Sequence, residues 1–248
     1  MTTAIILAGG RGTRLRAVVA DRPKPMAPIL GRPFLEHLMD YWIGQGVARF
    51  VLSLGYMAEY IEDHFGAQYR GVPLGYAVEP EPLGTGGGLL LAMQGLDDCV
   101  LVLNGDTFFE VELAALRAFH ERAASRWTFA LHRHADTDRY LGMQLDADGR
   151  IVGLRAADQR GALVNGGVYL LAPQELRGLG LSCGQRCSLE DELLPRFVAA
   201  GHRACGLECA GRFIDIGIPL DYQRAGGLLG GSPGPGGEGA DAGLESST

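Results

Sequence analysis

Residues 4–37 read AIILAGGRGTRLRAVVADRPKPMAPILGRPFLEH. The stretch opens on a short apolar strand, AIILA, that runs straight into a Gly-Gly-x-Gly-Thr-Arg loop. Ten residues past Arg14 comes a Pro-Lys-Pro, and then a helix-spaced segment from Pro33. The strand–loop–helix rhythm continues outward. RFVLSLG (49–55) reads as a strand, MAEYIEDHFG (57–66) as a helix and PLGYAV (73–78) as a strand. TGGGLLLAMQGL (85–96) is a glycine-opened helix, and CVLVLNGD (99–106) is an apolar strand ending on a carboxylate. Strands alternating with helices in this way predict an α/β fold with a parallel sheet covered on both faces. In such folds ligands bind beyond the carboxyl ends of the strands, which directs attention to the loops at 9–14, 79–85 and 104–107.

The second half changes character. After a helix at 111–123, the segments TFALHRH (128–134), LGMQLDADGRIVGL (141–154) and LVNGGVYLLA (163–172) look like sheet, with a turn at Asp148-Gly149. SLEDELLPRFVAAG (188–201) reads as a helix capped by Ser188. Short strands at 203–208 and 212–216 and a last helix from Pro219 follow. Residues 226–248 are rich in Gly, Pro and Ser and are expected to be a disordered tail beyond a single domain spanning 1–225.

Composition narrows the function. Among the 248 residues are 22 basic and 29 acidic side chains, for a net charge of −7; the tail holds three of the acids and none of the bases. With no basic cluster, sequence-independent nucleic-acid binding is not expected. No window holds the roughly 18 or more apolar residues of a membrane span, and the N-terminus reads as a first strand, not a signal peptide, so a cytoplasmic protein is expected. The odd count of five cysteines speaks against a disulfide framework. The C-x3-C pairs at Cys183/Cys187 and Cys205/Cys209 read as reduced thiols in preference to a zinc site.

All but one of the bases are arginine; Lys24 is the only lysine. Lysine is a compact point charge that the planar arginine fork does not imitate. The glycine loop lacks the third glycine of a dinucleotide fingerprint and the G-K-[ST] ending of a P-loop. Its Gly9, Gly10 and Gly12 would nevertheless let backbone N–H groups approach a polyphosphate. Arg14 adds a fork for phosphate oxygens, and Lys24 adds a point charge between two prolines.

The run GGRGTRL…PKPMAPI resembles the signature of the sugar-1-phosphate nucleotidylyltransferases. Further matches stand in order: EPLGTGG (81–87), LVLNGDTFF (101–109), RYLGMQLDADGRI (139–151), VNGGVYLL (164–171), SLEDELLP (188–195) and FIDIGIPLDY (213–222). Together they cover about residues 3–225. The resemblance implies a Rossmann-like three-layer α/β/α sandwich on a mostly parallel mixed sheet, the nucleotidyltransferase fold. Its nucleotide-binding half would span about 1–110 and its sugar-binding half about 111–225.

The resemblance also implies the chemistry. A sugar 1-phosphate, already an ionised nucleophile, attacks the α-phosphorus of a nucleoside triphosphate in line, and pyrophosphate leaves. Charge crowding and alignment then make up most of the barrier. By resemblance Arg14 and Lys24 meet the triphosphate, and Asp106 and Asp215 bind Mg2+, an ion that takes few protein ligands and completes its shell with phosphates and water. Leu7, Ala8 and Thr13 join the three glycines around the nucleotide.

The loop Glu79-Pro80-Glu81-Pro82-Leu83-Gly84-Thr85 offers two carboxylates and no amide. Guanine presents N1–H and N2–H2 as two donors, which a carboxylate accepts, so guanine is favoured, with Glu81 or Glu79 as its reader. EPLGT is also similar to the guanylyltransferase form of the motif. For the sugar, Tyr140, Gly142, Asn165, Gly166 and Glu190 resemble hydroxyl-binding positions. Many relatives carry a Glu-Glu-Lys-Pro segment whose lysine meets the sugar phosphate; this chain has Gly153–Asp158 there, leaving Arg155 or a group elsewhere to supply that cation. Family likeness, carried by the motif combination and the short length, implies GTP and a heptose 1-phosphate as substrates, for bacterial surface polysaccharide synthesis, with mannose or another hexose 1-phosphate as the alternative. A non-catalytic nucleotide-sugar-binding subunit fits less well, because Arg14, Lys24, Asp106 and Asp215 are all present. Family members are often dimers or tetramers, so a homo-oligomer is compatible.

Overall fold

The structure, a computed structural model, describes residues 1–15, 19, 21–134, 141–156 and 162–230. In chain order it comprises β1 (Thr2–Leu7), β2 (Pro28–Ile29), β3 (Arg32–Pro33), α1 (Phe34–Gly44), β4 (Val47–Leu54) and α2 (Ala58–Phe65). There follow β5 (Gln68–Tyr69), β6 (Val72–Val78), α3 (Gly84–Ala92), β7 (Val100–Asn104), β8 (Thr107–Phe109) and α4 (Leu113–Arg122). The second half adds β9 (Trp127–His134), β10 (Leu141–Leu145), β11 (Ile151–Ala156), β12 (Ala162–Leu171), α5 (Leu194–Ala199), β13 (Ala204–Glu208), β14 (Phe213–Asp215) and α6 (Pro219–Gly230).

β1 lies at the centre of the sheet, parallel to β4 on one side and to β7 on the other; β6 continues the parallel run beyond β4. The chain therefore winds outward through β4 and β6, then crosses back through α3 to β7. That reversal opens a crevice between the carboxyl ends of β1 and β7. Past β7 the direction changes: β12 is antiparallel to both β7 and β9, and β13 is parallel to β9. The β10–β11 hairpin joins the amino-terminal end of β12 through Gly142 and Val164. The sheet is thus mixed and mostly parallel in its first half, as the strand–helix rhythm predicts.

Both faces are covered. Ala4, Ile6, Phe50, Leu52, Leu101 and Leu103 face a core shared with α1, α2, α4 and α6, whereas Ile5, Val51, Val100 and Val102 face one shared with α3 and α5. This is why β1 and β7 read as unbroken apolar runs. α1 buries Phe34, Leu35, Leu38, Met39 and Trp42, one stripe at helical spacing. Truncating the fully buried Trp42 to alanine should cost about 3–5 kcal/mol.

Two boundaries differ from expectation. Ser188 caps a helix as predicted, its Oγ accepting from the Asp191 N–H. The first turn, Leu189–Leu193, is however a π-type turn closed by Leu193 N–H on Ser188 C=O at 3.0 Å. Pro195 accounts for it: an α-turn would press the proline ring on the Asp191 carbonyl, and the wider turn relieves the clash. The last helix runs to Gly230, five residues into the stretch expected to be a disordered tail. Leu228 and Leu229 pack on the core, and Arg212 Nη1 donates to Leu228 C=O at 2.7 Å. Residues 231–248, the rest of the expected tail, lie outside the described residues. Among the described residues no helix is long and apolar enough to cross a membrane.

Candidate active site

A cavity of about 510 Å³ opens at the carboxyl ends of β1, β4, β6 and β7, on the α3 side of the sheet. The three loops singled out from the sequence line it: Gly9–Gly12, Glu79–Pro82 with Gly84 and Thr85, and Asn104–Asp106. Their packing explains the small residues. Gly12 has φ of +57°, and a Cβ there would come within 2.8 Å of the Lys24 Cβ. The Gly105 N–H donates to Leu7 C=O at 2.9 Å, which draws the Asn-Gly-Asp turn onto the end of β1.

Lys24 sits in a single 3-10 turn, Lys24–Met26, flanked by Pro23 and Pro25. Its side chain is only 12% exposed. Its Nζ donates to Asp106 Oδ2 at 2.5 Å and stands 3.8 Å from Asp215 Oδ1. Those two aspartates, 109 residues apart in sequence, are brought together because β14 pairs antiparallel with β8, setting Asp215 opposite Thr107. The pairing continues past the strand: Ile216 N–H donates to Asp106 C=O at 3.0 Å. Asp215 Oδ1 also accepts the Gly217 N–H at 2.6 Å. The carboxylates keep 40% and 21% exposure. Among the described residues no third His, Cys, Asp or Glu joins them to form a protein-only metal cage. Two hard oxygen donors at the edge of a cavity suit a divalent ion that takes its remaining ligands from phosphate and water.

Glu79, at the end of β6, is the half-buried carboxylate of the second loop. Oε2 accepts the Leu83 N–H at 2.9 Å, closing the loop on itself. Oε1 lies against the backbones of Gly9 and Gly88, where added Cβ atoms would sit 2.9 and 2.5 Å away; the same Cβ at Gly88 would lie 2.8 Å from Ser53 Oγ. Burial raises the Glu79 carboxyl above its ordinary pKa, partly offset by the Leu83 N–H. Glu81, on the same wall, is exposed.

The opening of α3 is stitched to the segment before the π-type turn. The N–H groups of Gly86 and Gly87 donate to Cys187 C=O at 3.0 and 3.3 Å, and Cys187 N–H donates to Leu83 C=O at 2.9 Å. Thr85 Oγ1 accepts the Leu189 N–H at 2.9 Å. Cβ atoms at Gly84, Gly86 or Gly87 would come within 2.6–2.8 Å of that segment or of Leu83. The next residue along, Glu190, meets β12, where Asn165 Nδ2 donates to its Oε1 at 3.4 Å. Asn165 Nδ2 also donates to the hydroxyl of fully buried Tyr169 at 2.6 Å, and that hydroxyl donates to Asn104 Oδ1 at 3.4 Å. A chain of polar groups therefore crosses from the cavity wall at Asn104 to Glu190. Burial raises the Glu190 carboxyl, with Asp191 adding to it, and burial likewise pushes up the Tyr169 hydroxyl.

The structure brings together Lys24, Asp106 and Asp215, and it sets Leu7, Ala8, Gly9, Gly10, Gly12, Glu79, Glu81, Gly84 and Thr85 around the cavity. Leu83 is buried behind the wall and contributes backbone bonds. Thr13 and Arg14 are exposed and do not line the cavity; Arg11 does. Gly166 packs against Phe109, and Gly142 is buried in β10. Tyr140 lies outside the described residues. The backbone of Arg155 pairs with Gly142 in the β10–β11 hairpin, and its side chain lies outside what is described. The sequence reading missed Arg11, Ser53, Asn104 and Tyr169. Asn104 could have been found from its place in the Asn-Gly-Asp turn. All five cysteines are free thiols.

Comparison with known proteins gives a consistent picture. The Nucleotidyl transferase family model matches residues 3–227. The chain is 36% identical over 222 residues to D-glycero-alpha-D-manno-heptose 1-phosphate guanylyltransferase of Campylobacter jejuni, covering 89% of this chain and 97% of the relative. It is 38% identical over 224 residues to the protein of the same name from Aneurinibacillus thermoaerophilus, covering 90% and 96%. The crystal structure of HddC from Yersinia pseudotuberculosis complexed with GMP-PN superposes with a TM-score of 0.80 at 34% identity, covering 92% of this chain and all of that one.

Proposed function

The chain belongs to the nucleotidyl transferase family, and we propose that within it this protein transfers the guanylyl group of GTP to D-glycero-D-manno-heptose 1-phosphate, giving GDP-heptose and pyrophosphate. The observation that carries the base assignment is the half-buried Glu79 carboxylate in the cavity wall. Leu83 N–H fixes it in the wall through Oε2, and a carboxylate there is an acceptor suited to the N1–H and N2–H2 edge of guanine. The heptose assignment is supported by likeness to relatives of that name over 89–90% of the chain.

The sugar 1-phosphate brings its own charged nucleophilic oxygen, so no general base is required. What the residues supply is alignment and positive potential. Gly9–Gly12, Arg11 and Lys24 all line the cavity, and we assign the glycine backbone and the two cations to the phosphates. Arg14, exposed on the following turn, is assigned to the triphosphate tail by family likeness. We assign Asp106 and Asp215 to Mg2+, which when bound neutralises phosphate charge. On the sugar side, Asn165 and Glu190 offer an amide and a carboxyl to hydroxyl groups, steadied by Tyr169. The same reading places the enzyme in the cytoplasm, supplying an activated heptose for bacterial surface polysaccharide.

Pyrophosphate release, measured with GTP, UTP, dTTP and ATP against heptose, mannose and glucose 1-phosphates, tests this assignment. GTP with the heptose should give the highest kcat/KM. Faster turnover of mannose 1-phosphate would replace the sugar assignment, and a pyrimidine preference would remove Glu79 as base reader.

A further inference from the structure

The Lys24 ammonium occupies the ground where a metal would meet Asp106 and Asp215. It is 2.5 Å from one carboxylate and 3.8 Å from the other, so the three groups together carry one net negative charge. The Lys24 backbone has little room to move, so any displacement falls to the end of the side chain. Pro23 and Pro25 hold the backbone. Gly12 abuts the Cβ, and a Cβ at Gly217 would sit 3.1 Å from the Nζ. The side chain nevertheless lines the cavity, where Arg11 is the other cation among the described lining residues. The ammonium thus has two stations open to it: against the carboxylates, or out towards an anion in the cavity.

We infer that Lys24 is the internal counter-ion of the Asp106–Asp215 pair, keeping a divalent cation out until a triphosphate draws the ammonium across, so that cation and nucleotide enter together. A cation arriving alone meets a like charge within contact distance of both its ligands, and that repulsion acts at short range in a partly buried place where screening is weak. A triphosphate reverses the balance: it attracts the ammonium away and supplies the oxygens two carboxylates cannot. The inference rests on the proposed reading of Asp106 and Asp215 as metal ligands.

The single lysine makes the test clean. Protein grown with 13C-lysine carries one labelled side chain, and its resonance can be followed in the wild-type protein on adding Mg2+ alone, GTP alone, and both. The Lys24 signal should stay in place with Mg2+ alone and shift when GTP and Mg2+ are both present. In parallel, Mn2+ binding to the nucleotide-free protein is measured by electron paramagnetic resonance for wild type, Lys24→Met and Lys24→Met with Asp106→Asn. Lys24→Met should bind Mn2+ at least about tenfold tighter than wild type, and the added Asp106→Asn should abolish the gain. Equal, Asp106-dependent Mn2+ binding by wild type and Lys24→Met, or a lysine signal displaced by Mg2+ alone, would overturn the counter-ion role while leaving the metal ligands in place. If Mn2+ bound without regard to Asp106 with and without GTP, the metal assignment would fall and the inference with it.

Discussion

Tyr169→Phe removes one oxygen from the interior and nothing else. The ring is wholly buried, with its hydroxyl between the Asn165 amide at 2.6 Å and the Asn104 carbonyl oxygen at 3.4 Å. Phenylalanine would keep the packing against Phe129, whose ring lies 4.9 Å away at 83°. The loss is therefore of hydrogen bonding alone. The short bond from Asn165 is worth about 1 kcal/mol net, and leaving the amide with only the long contact to Glu190 adds part of the 1–3 kcal/mol of an unsatisfied buried donor. We expect a total of about 1.5–3 kcal/mol, read as a lower urea midpoint at unchanged m value. Asn165 Oδ1 still accepts the Gly167 N–H at 3.0 Å, so the backbone should hold while the amide turns. Steady-state kinetics should then show KM for the sugar phosphate raised about tenfold, the equivalent of about 1.4 kcal/mol, with KM for GTP within about twofold. A variant that loses less than about 0.5 kcal/mol and keeps its sugar KM would refute the hydroxyl as the link between Asn104 and Asn165.

Three further expectations concern single side chains. Glu79→Gln should lower kcat/KM for GTP by about 10- to 150-fold, the worth of a hydrogen bond to a charged group, and Glu81→Gln should change it little; the reverse order in the same assay would move base reading to Glu81. Lys24→Arg should keep the charge yet lose about 100-fold in kcat, because a guanidinium does not fit between Gly12 and Gly217; near-full activity would make the lone lysine an accident of composition. Glu190→Gln should flatten the pH dependence of stability. With its pKa raised in the fold, Glu190 contributes most below the ordinary carboxylate range, and the contribution is lost as pH climbs through the raised value. The variant should therefore gain on wild type across that interval in thermal melts, and parallel curves would count against a buried, charge-averse Glu190.

Much of this molecule is legible in one pass along the chain. The first strand, its glycine loop and the alternation that follows are local patterns, and the strand-end rule then points to the three loops that line the cavity. The pairing of Thr107 with Asp215 is not local: strands of three residues carry no periodicity, so the meeting of Asp106 with Asp215 came from family likeness alone. Tyr169 reads as one more aromatic in an apolar strand, and only its neighbours across the sheet show that its hydroxyl bonds to polar groups. Arg11 occupies the unspecified position of Gly-Gly-x-Gly, where side-chain identity carries no rule. Near Gly230, glycine content masked Leu228 and Leu229, whose packing against the core matters more than the propensity of their neighbours.

The stitching between the opening of α3 and the segment around Cys187 has a consequence for how such enzymes diversify. The loop proposed to meet the base is hydrogen-bonded to the very stretch that carries Glu190, the proposed sugar contact, through glycines that leave no room for an added carbon. On that proposal, base and sugar preference are not independent cassettes. Transplanting residues 79–88 from a pyrimidine-specific relative would bring a loop cut for a different seat, whereas moving 79–88 together with 185–190 would carry lock and hasp as one piece.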